Sequence, residues 1–371
     1  MRKLRIRVVG GSLAGVFAGI LLQRSGHDVT IYERSAHGLG GRGAGLVPQQ
    51  DLFNLLRMIG AEDAEEVGVV ARERIYFGRD GRVLQTTRAP QKQISWDYLY
   101  NTVLSHFDSE AFMLDREVVR VEDGEQSAEI IFGDGTKETA DLVIGADGVG
   151  SVVRATVNQT DHGNQFAGYV AWRGLIPETQ LPNGASILLD RFAFYVTSGV
   201  HILGYLVPGS GGEIDVGRRR YNWVWYRPIE QDDLQRTLTD ERGHSSQYSL
   251  RRGGLSMERR DALRRDAHEI LPPQFALAVE AEPTPSIQGI FDYEAPRMIG
   301  RSVALVGDAA FVARPHTAMG VSKAAADVMA LVAFLAGERQ VQAALERYEA
   351  ARIGVGREIV DYGRRLGATA L

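Results

Sequence analysis

The feature that most constrains the fold is a glycine-rich turn near the start of the chain, Gly10-Gly11-Ser12-Leu13-Ala14-Gly15. A β-branched run over residues 4–9 precedes it, an apolar helical stretch over 16–25 follows it, and residues 28–33 read as a second strand. A parallel strand-helix-strand unit needs about 30 residues, which is the length found here. The sequence therefore predicts a parallel α/β sheet that binds a ligand beyond the carboxyl end of its first strand.

The residue types in this turn suit a pyrophosphate. Gly10 allows the tight turn, Gly15 allows close helix-strand packing, and the helix N-terminus supplies amide donors. Ser12 stands where the usual G-x-G-x-x-G pattern has its middle glycine, but it is still small. Glu33 follows Gly15 by 18 residues, near the ~20 at which an acidic residue binds a ribose hydroxyl. The pattern favours a site for an adenine dinucleotide, and it does not distinguish FAD from NAD. The alternative interpretation is that the glycines form only a tight turn and bind no ligand.

Net charge and cysteine content narrow the class of function. The 371 residues include 42 Lys+Arg and 47 Asp+Glu, a net charge of -5, so no basic field favours nucleic acid or an anionic membrane as partner. With Cys 0, the chain has no disulfide, thiolate nucleophile or iron-sulfur cluster. We predict no metal site, because the acidic residues of the middle region lack metal-ligand spacing: Asp215, Asp232, Asp233 and Asp240.

The first residues could be mistaken for a signal peptide. Basic residues precede an apolar run over 6–22, but Gly10, Gly11 and Gly15 interrupt that run. Together with the absence of cysteine, this leads us to expect a cytoplasmic protein.

The pattern of elements changes after Asp147-Gly148. Closely spaced strand signals favour an antiparallel sheet, at residues 169–175, 185–189, 192–197, 201–207 and 221–226. A buried strand at 302–306 and a helical region from about residue 320 then resume the first pattern. We predict a nucleotide-binding domain over 1–165, a β-rich substrate domain over 166–284, and the rest of the first domain with C-terminal helices over 285–371. Ligands commonly bind in the cleft between two such domains.

Two further strands end in an Asp-Gly or Gly-Asp turn. An apolar strand delivers Asp147-Gly148, followed by Ser151 and Arg154, and a second strand delivers Gly307-Asp308. Open α/β sheets bind their ligands at the carboxyl ends of strands, so both carboxylates are candidates for ligand contact. The segment after Asp308, with Pro315 and Gly320, leads into a helix whose amides can face an anion.

Together these motifs resemble the single-component, FAD-dependent aromatic hydroxylases (class A flavin monooxygenases) over nearly the whole chain. Three shorter motifs resemble the members that act on hydroxypyridines: Gly168-Tyr169-Val170-Ala171-Trp172-Arg173-Gly174, Arg314-Pro315-His316 and Trp96-Asp97-x-x-Tyr100. The chain departs from many relatives at Trp96, where they have Arg, and at Ala318, where they have Gly. The resemblance implies a Rossmann-like FAD-binding domain interrupted by an antiparallel β-sheet substrate domain, with C-terminal helices.

The resemblance also implies the cofactors and their contacts. NAD(P)H reduces non-covalent FAD, O2 adds at flavin C4a, and the hydroperoxide transfers one oxygen atom to a phenolic or hydroxypyridine ring. Glu33 would bind the adenosine ribose, Arg34 would flank the adenine, and Asp308 would bind the ribityl chain. The other implied cofactor contacts are Gly10, Ser12, Leu13, Ala14, Gly15, Val119, Asp147, Gly148, Ala318, Met319, Gly320 and Val321. A homodimer is the oligomer that the family suggests.

Candidate residues for the reaction itself follow from the same resemblance. His316, next to Pro315, would bind the substrate hydroxyl or relay its proton, since neutral imidazole can do so near pH 7. Aromatic side chains hold a planar ring well, and the candidates for pocket walls are Tyr169, Trp172, Tyr195, His201 and Tyr205. Ordinary sheet packing is the alternative for these five, and a loop hydrogen bond is the alternative for His316. The run Arg218-Arg219-Arg220 is interpreted as a solvated edge or a guide for the nicotinamide dinucleotide.

Two other functions stay open at this point. The first is a flavin oxidoreductase of the same fold that dehydrogenates or epoxidises its substrate. The second is a non-catalytic sensor of NAD or FAD, which would need no enclosed aromatic pocket.

Overall fold

A computed structural model of the protein describes residues 3–40 and 45–370. Its strands are β1 Arg5–Val9, β2 Asp28–Tyr32, β3 Gly45–Leu46, β4 Val69–Phe77, β5 Val83–Ser95, β6 Phe112–Met113, β7 Val118–Asp123, β8 Ala128–Phe132, β9 Lys137–Ala140, β10 Leu142–Gly145, β11 Gln165–Pro177, β12 Arg191–Thr197, β13 Val200–Val207, β14 Arg220–Pro228, β15 Ser249–Leu250, β16 Ser286–Glu294, β17 Val303–Leu305 and β18 Phe311–Val312. Its α-helices are α1 Leu13–Arg24, α2 Gln50–Met58, α3 Asp63–Glu66, α4 Trp96–Leu104, α5 Val153–Val157, α6 Leu234–Thr237, α7 Met257–Ile270, α8 Pro273–Glu280, α9 Gly320–Gly337 and α10 Val341–Ala370.

The nucleotide-binding sheet is parallel, as the strand-turn-helix-strand pattern predicts. Within the described ranges its strand order is β17-β10-β1-β2-β6. The strands β10 and β17 are short apolar runs that are wholly buried, and β1 is buried after its first residue, which is typical of a parallel sheet covered on both faces. The Rossmann-like α/β architecture is confirmed, and the carboxyl ends of β1, β10 and β17 lie side by side at one edge.

The second sheet is larger than the β-rich segment indicates. Its order among the described strands is β15-β16-β11-β14-β13-β12-β4-β5-β3, and neighbours are antiparallel except β12 and β4. Strands β4 and β5 come from residues before 165, and β16 comes from residues after 284. The three-part domain division stays a prediction, and this sheet crosses both of its boundaries. Residues 185–189, predicted as a strand, instead lie in or beside the 3-10 turn Asn183–Leu188.

The two faces of this sheet have different neighbours, because successive side chains of a strand point to opposite faces. One face belongs to the main hydrophobic cluster, in which Trp172, Trp223 and Trp225 are buried together with residues of α8 such as Phe275. The other face forms separate small clusters of Tyr and aliphatic side chains. This second face, called here the site face, lies toward the loop that follows β18.

The C-terminal helices close the site at one end. Helix α9 packs against α1, α2 and α10, and it is long and apolar enough to cross a membrane, although half of the stretch is buried inside the protein. Helix α10 is anchored by the buried hydroxyl of Tyr348, which donates to the carbonyl of Leu305 at 2.7 Å. A Cβ atom at Gly367 would lie 2.8 Å from the Tyr169 hydroxyl and 2.5 Å from Nη1 of Arg314. Glycine therefore lets the last turns of α10 approach the site face.

Candidate active site

The glycine turn between β1 and α1 has room for backbone only. Gly10 has φ +102, and a Cβ there would lie 2.5 Å from the carbonyl oxygen of Ala146. A Cβ on Gly15 would lie 1.9 Å from the carbonyl oxygen of Gly10. A side chain at Gly10 would displace the turn after β10, and a side chain at Gly15 would push α1 away from the end of β1. The loop therefore lets a pyrophosphate approach the backbone closely, and the first-turn amides of α1 have no side-chain cap that would compete for them.

Glu33, at the end of β2, is buried, with 6% of its surface exposed. Its carboxylate accepts hydrogen bonds from the amides of Gly11 and Ser35, both at 2.9 Å. Each carboxylate oxygen keeps a further lone pair for a ligand hydroxyl. Glu33 therefore fixes the glycine loop and also faces the cleft beside it.

A cleft of about 290 Å³ opens at this point of the sheet edge. It brings together predicted cofactor residues from three parts of the chain, namely Gly10, Ser12, Glu33, Arg34, Asp147 and Gly148. Leu13 and Ala14 stand in the first turn of α1. Trp96 also lines the cleft, and its ring stacks on Tyr100 with ring centres 4.8 Å apart. The glycine cradle, the buried carboxylate and the flat aromatic wall fit the adenosine diphosphate part of FAD.

Val119 is the exception among these predicted cofactor contacts. Its side chain is 46% exposed and lines a different groove, whereas its neighbour Val118 lines the cleft. A bulge in β7 between Val118 and Arg120 produces this arrangement. The Val119 side chain therefore points away from the cleft, and the cofactor contact predicted for this residue stays a prediction.

The Asp147-Gly148 turn is held by its own carboxylate. Asp147 accepts from the Ser151 hydroxyl at 2.5 Å and from the amides of Val152 and Val153 at 2.7 and 3.2 Å. Burial raises the pKa of Asp147, and these hydrogen bonds oppose the increase. The carboxylate thus organises the start of α5, while the backbone of the turn lines the cleft.

Arg154 joins two of the three strand ends. Its side chain is 1% exposed, and it donates to the carbonyls of Asp308 and Ala309 at 2.7 and 2.8 Å and to Asn164 Oδ1 at 2.9 Å. Its guanidinium also lies 3.8 Å from the centre of the Tyr293 ring. Arg154 therefore ties the turn after β10 to the turn after β17.

Asp308 presents its carboxylate at the end of β17. The side chain is 48% exposed and pairs with Lys323 Nζ at 3.2 Å, while Lys323 itself is fully buried and also donates to the Phe311 carbonyl. An exposed carboxylate held by a buried ammonium can accept a hydrogen bond from a polyol chain such as the ribityl of FAD.

The loop beneath this turn leads into α9. After the 3-10 turn Pro315–Thr317, Ala318 adopts the left-handed conformation with φ 53 and ψ 21. Met319 is the N-cap of α9, which begins at Gly320 and continues through Val321. The left-handed conformation explains why glycine suits position 318, and the exposed Ala318 and Gly320 leave backbone amides available to an anionic ring.

Four rings meet where this loop faces the sheet. The His316 ring centre lies 4.1 Å from that of Tyr226 and 5.4 Å from that of His201. The Tyr169 hydroxyl lies 3.0 Å from His316 Nε2. These residues come from β11, β13, β14 and the loop, so the cluster exists only in the folded chain. Tyr205 lies on the same face, and its hydroxyl donates to the carbonyl of Gly45 at 3.1 Å.

Burial keeps these rings uncharged near pH 7. Desolvation, helped by the charges of His201, Arg314 and Arg173, lowers the pKa of His316 to about 3. Desolvation also lowers the pKa of His201 to about 4 and raises the pKa of Tyr226 to about 12. Neither ring nitrogen of His201 has a hydrogen-bond partner among the described residues.

Trp172 and Tyr195 do not belong to this cluster. Both side chains lie on the opposite face of the sheet, in the main hydrophobic cluster. Each is separated by an odd number of residues from the side chains of its own strand that point to the site face, and successive side chains of a strand alternate between faces. Their predicted role as pocket walls is therefore wrong. Tyr226, which sequence reasoning missed, lies on the site face instead. It pairs in register with Ala171 and His201, so its side chain points to the same face as theirs.

The arginine run at 218–220 is mostly buried, whereas the sequence predicts a solvated edge or a guide for the nicotinamide dinucleotide. Arg219 pairs with Glu178 at 2.8 Å and Arg220 pairs with Asp97 at 2.8 Å, and both arginines are largely buried. Only Arg218, of these three, is mostly exposed. The segment is therefore a structural crosslink of β14 rather than a solvated edge.

Comparisons with known proteins agree with this site. Residues 8–55 match the family of NAD(P)-binding Rossmann-like domains, and residues 166–292 match the FAD binding domain-like family. The chain is 28% identical over 366 residues to 2,6-dihydroxypyridine 3-monooxygenase of Paenarthrobacter nicotinovorans, covering 98% of this chain and 91% of that protein. It is 29% identical to 3-amino-4-hydroxybenzoate 2-monooxygenase of Streptomyces cremeus, covering 98% and 87%.

A solved structure gives the same result. The fold superposes on 2,6-dihydroxypyridine-3-hydroxylase from Arthrobacter nicotinovorans with a TM-score of 0.92 at 28% identity, covering 99% of this chain and 93% of that one. The chain is similar over nearly its whole length to FAD-dependent aromatic hydroxylases, and it is an enzyme of this type, which uses NAD(P)H and O2 to add one oxygen atom to an aromatic ring.

Proposed function

We propose that this enzyme hydroxylates a small hydroxylated pyridine, of which 2,6-dihydroxypyridine is the representative. The hydrogen bond between Tyr169 and His316, inside a cluster of uncharged rings, is the observation that carries the proposal. A flat heterocycle with hydroxyl substituents would pack against Tyr226 and find hydrogen-bonding groups on His316 and His201. The likeness to a 2,6-dihydroxypyridine hydroxylase supports this substrate class.

FAD, when bound, supplies the activated oxygen that is transferred to the ring. We propose that its adenosine diphosphate part is held by the glycine loop, Glu33 and Arg34, its ribityl chain by Asp308, and its ring by the amides from Ala318 to Val321. The chain's own residues then orient the substrate, exclude water and manage its proton.

His316 has a defined tautomer in this proposal. Arg314 Nη1 donates to the Tyr169 oxygen at 3.5 Å, and we propose that the Tyr169 hydroxyl donates in turn to Nε2 of His316. A neutral imidazole that accepts at Nε2 carries its own proton at Nδ1. His316 would therefore donate a hydrogen bond from Nδ1 to an oxygen of the substrate, and Pro315 fixes the loop that presents it.

The test is NADH oxidation by the FAD-loaded enzyme with and without 2,6-dihydroxypyridine, together with mass analysis of the product. We expect the heterocycle to accelerate NADH oxidation manyfold and to gain one oxygen atom. Acceleration without a hydroxylated product would show that the ring is an effector and would reject it as the substrate. No response to any hydroxypyridine would reject the whole substrate class.

We propose further that the enzyme is a cytoplasmic homodimer. Val355 and Tyr362 of α10 are 37% and 42% exposed and, at a spacing of seven residues, lie on one side of the helix. They would suit contact with a second copy. Size-exclusion chromatography with light scattering tests the dimer, and a monomeric mass at micromolar concentration would reject it.

A further inference from the structure

One cation on the site face has no counter-charge among the residues that the structure describes. Arg173, in the middle of β11, is partly buried, and its Nε atom is buried. Across the described chain its guanidinium makes no hydrogen bond and no ion pair, whereas Arg314 nearby is paired with Asp292 at 2.7 Å. A partly desolvated guanidinium without an anion is costly. A partly buried arginine without a protein partner is usually explained by a ligand that supplies the hydrogen-bond acceptor.

The position of Arg173 is central. In register it pairs with Val224 of β14, which in turn pairs with Leu203 of β13. The neighbouring pair on one side is Tyr226 with His201, and on the other side Asn222 with Tyr205. Arg173 therefore lies between the two ends of the site face.

The electrostatic influence of Arg173 agrees with this position. Its charge contributes to the lowered pKa of His316, after burial, His201 and Arg314. It also opposes the rise that burial causes in the pKa of Tyr205 and Tyr226. The guanidinium thus acts on side chains at both ends of the site face.

We propose that Arg173 binds an anionic oxygen of the aromatic substrate, so that the enzyme takes up the ring as an anion. This inference rests on the proposed function and names the form of the substrate that the site selects. The planar fork of a guanidinium suits an ionised ring oxygen and equally a carboxylate substituent. An ionised hydroxyl donates electron density to the ring, which is the form that accepts an oxygen atom most readily.

The test measures binding to the oxidised, FAD-loaded enzyme without NADH, by the change in flavin absorbance. The probes are 2,6-dihydroxypyridine, which has only ring oxygens, and 6-hydroxynicotinate, which adds a carboxylate. The variants are Arg173→Gln, which removes the charge, and Arg173→Lys, which keeps it. Arg218→Gln is the matched control, because it makes the same charge change at a side chain that is 62% exposed.

We expect Arg173→Gln to raise Kd by about 10- to 100-fold, as for the loss of hydrogen bonds to a charged group. Arg173→Lys should fall between Arg173→Gln and the parent, and Arg218→Gln should stay within about twofold of it. The pKa of the bound heterocycle, read from its absorbance, should lie below that of the free ligand, and Arg173→Gln should abolish this difference. A merely structural role would not move the ligand's pKa.

The outcomes separate the two proposals. Weaker binding of both probes identifies the ionised ring oxygen as the partner, and weaker binding of 6-hydroxynicotinate alone identifies the carboxylate. If the parent enzyme binds and hydroxylates 2,6-dihydroxypyridine but Arg173→Gln leaves Kd and the bound-ligand pKa of both probes unchanged, the anion inference is wrong and the proposed function stands. If the parent binds neither probe, the proposed function fails and the inference fails with it. Retained FAD and an unchanged melting temperature exclude misfolding.

Discussion

The hydroxyl of Tyr169 lies 3.0 Å from Nε2 of His316, and this contact links strand β11 to the loop that follows β18. With the Tyr169 hydroxyl as donor, as proposed above, this contact sets the tautomer of an imidazole that burial keeps neutral. It also connects the site to Arg314 and, through Arg314, to Asp292. The chemistry proposed for the site depends on this contact.

Tyr169→Phe should lower kcat by about 10-fold, because one orienting hydrogen bond of about 1 kcal/mol is lost and the imidazole can change tautomer. The measurement is kcat at saturating 2,6-dihydroxypyridine and NADH. Tyr362→Phe removes a hydroxyl from a 42% exposed ring and is the control that should keep full activity. A Tyr169→Phe enzyme with unchanged kcat would show that the contact does not orient His316.

Stability should fall as the pH decreases below about 6.5, the usual pKa of histidine. In the folded protein the pKa values of His201 and His316 are about 4 and about 3. Between those values and 6.5 the unfolded chain binds more protons, so unfolding is favoured by acid. Each histidine should cost about 2 kcal/mol of unfolding free energy at pH 5.

Urea unfolding at pH 8 and pH 5 measures this effect. His201→Gln and His316→Gln should each remove part of the pH dependence, whereas His244→Gln, at a side chain that is 79% exposed, should retain it. An equal pH dependence in all variants would show that the two buried imidazoles are not the cause.

Much of the nucleotide-binding half could be predicted because its signals are local. Gly10, Gly15 and Glu33 act through chain geometry within one strand-helix-strand unit, and each lies where the pattern predicts. Asp147 is predicted to lie near the dinucleotide, but its carboxylate accepts hydrogen bonds from the amides that follow its own turn. Sequence spacing does not reveal that these amides compete with a ligand for the carboxylate.

The substrate half was less predictable because its face assignment depends on strand register. Tyr169 and Trp172 are three residues apart on β11, so they lie on opposite faces, and only one can reach the site. The alternation from Tyr169 through Ala171 to Arg173 was visible in the sequence and could have identified Arg173. Strand β5 was missed because most of it is exposed and polar and lacks the apolar alternation of a strand, whereas β4 largely alternates between buried and exposed residues and could have been predicted.

Arg154→Met should destabilise the protein by about 3 kcal/mol, because buried carbonyls lose their donor at two strand ends. FAD affinity should fall as well, since the turns at Gly148 and Asp308 would separate. Chemical unfolding and flavin fluorescence measure the two effects. Arg236→Gln, at a side chain that is 83% exposed, is the control. Stability within about 0.5 kcal/mol of the parent would contradict the clamp role of Arg154.

Ala318→Gly should stabilise the protein by up to about 1 kcal/mol. A left-handed conformation costs a non-glycine residue about 1–2 kcal/mol, and glycine avoids this cost. Part of the stabilisation is lost because glycine has more conformational entropy in the unfolded chain. The comparison is Ala330→Gly in the interior of α9, which should destabilise by about 1 kcal/mol. Urea unfolding of the two variants gives both values. A loss of stability in Ala318→Gly would show that the left-handed conformation carries no strain.

The most direct test of the central claim follows the origin of the transferred oxygen. The FAD-loaded enzyme is supplied with NADH, 2,6-dihydroxypyridine and isotopically labelled O2, and the product is analysed by mass spectrometry. The account predicts a hydroxylated pyridine with one labelled oxygen atom and NADH consumed in equal amount. An unlabelled product, or NADH oxidation that leaves the pyridine unchanged, would contradict it.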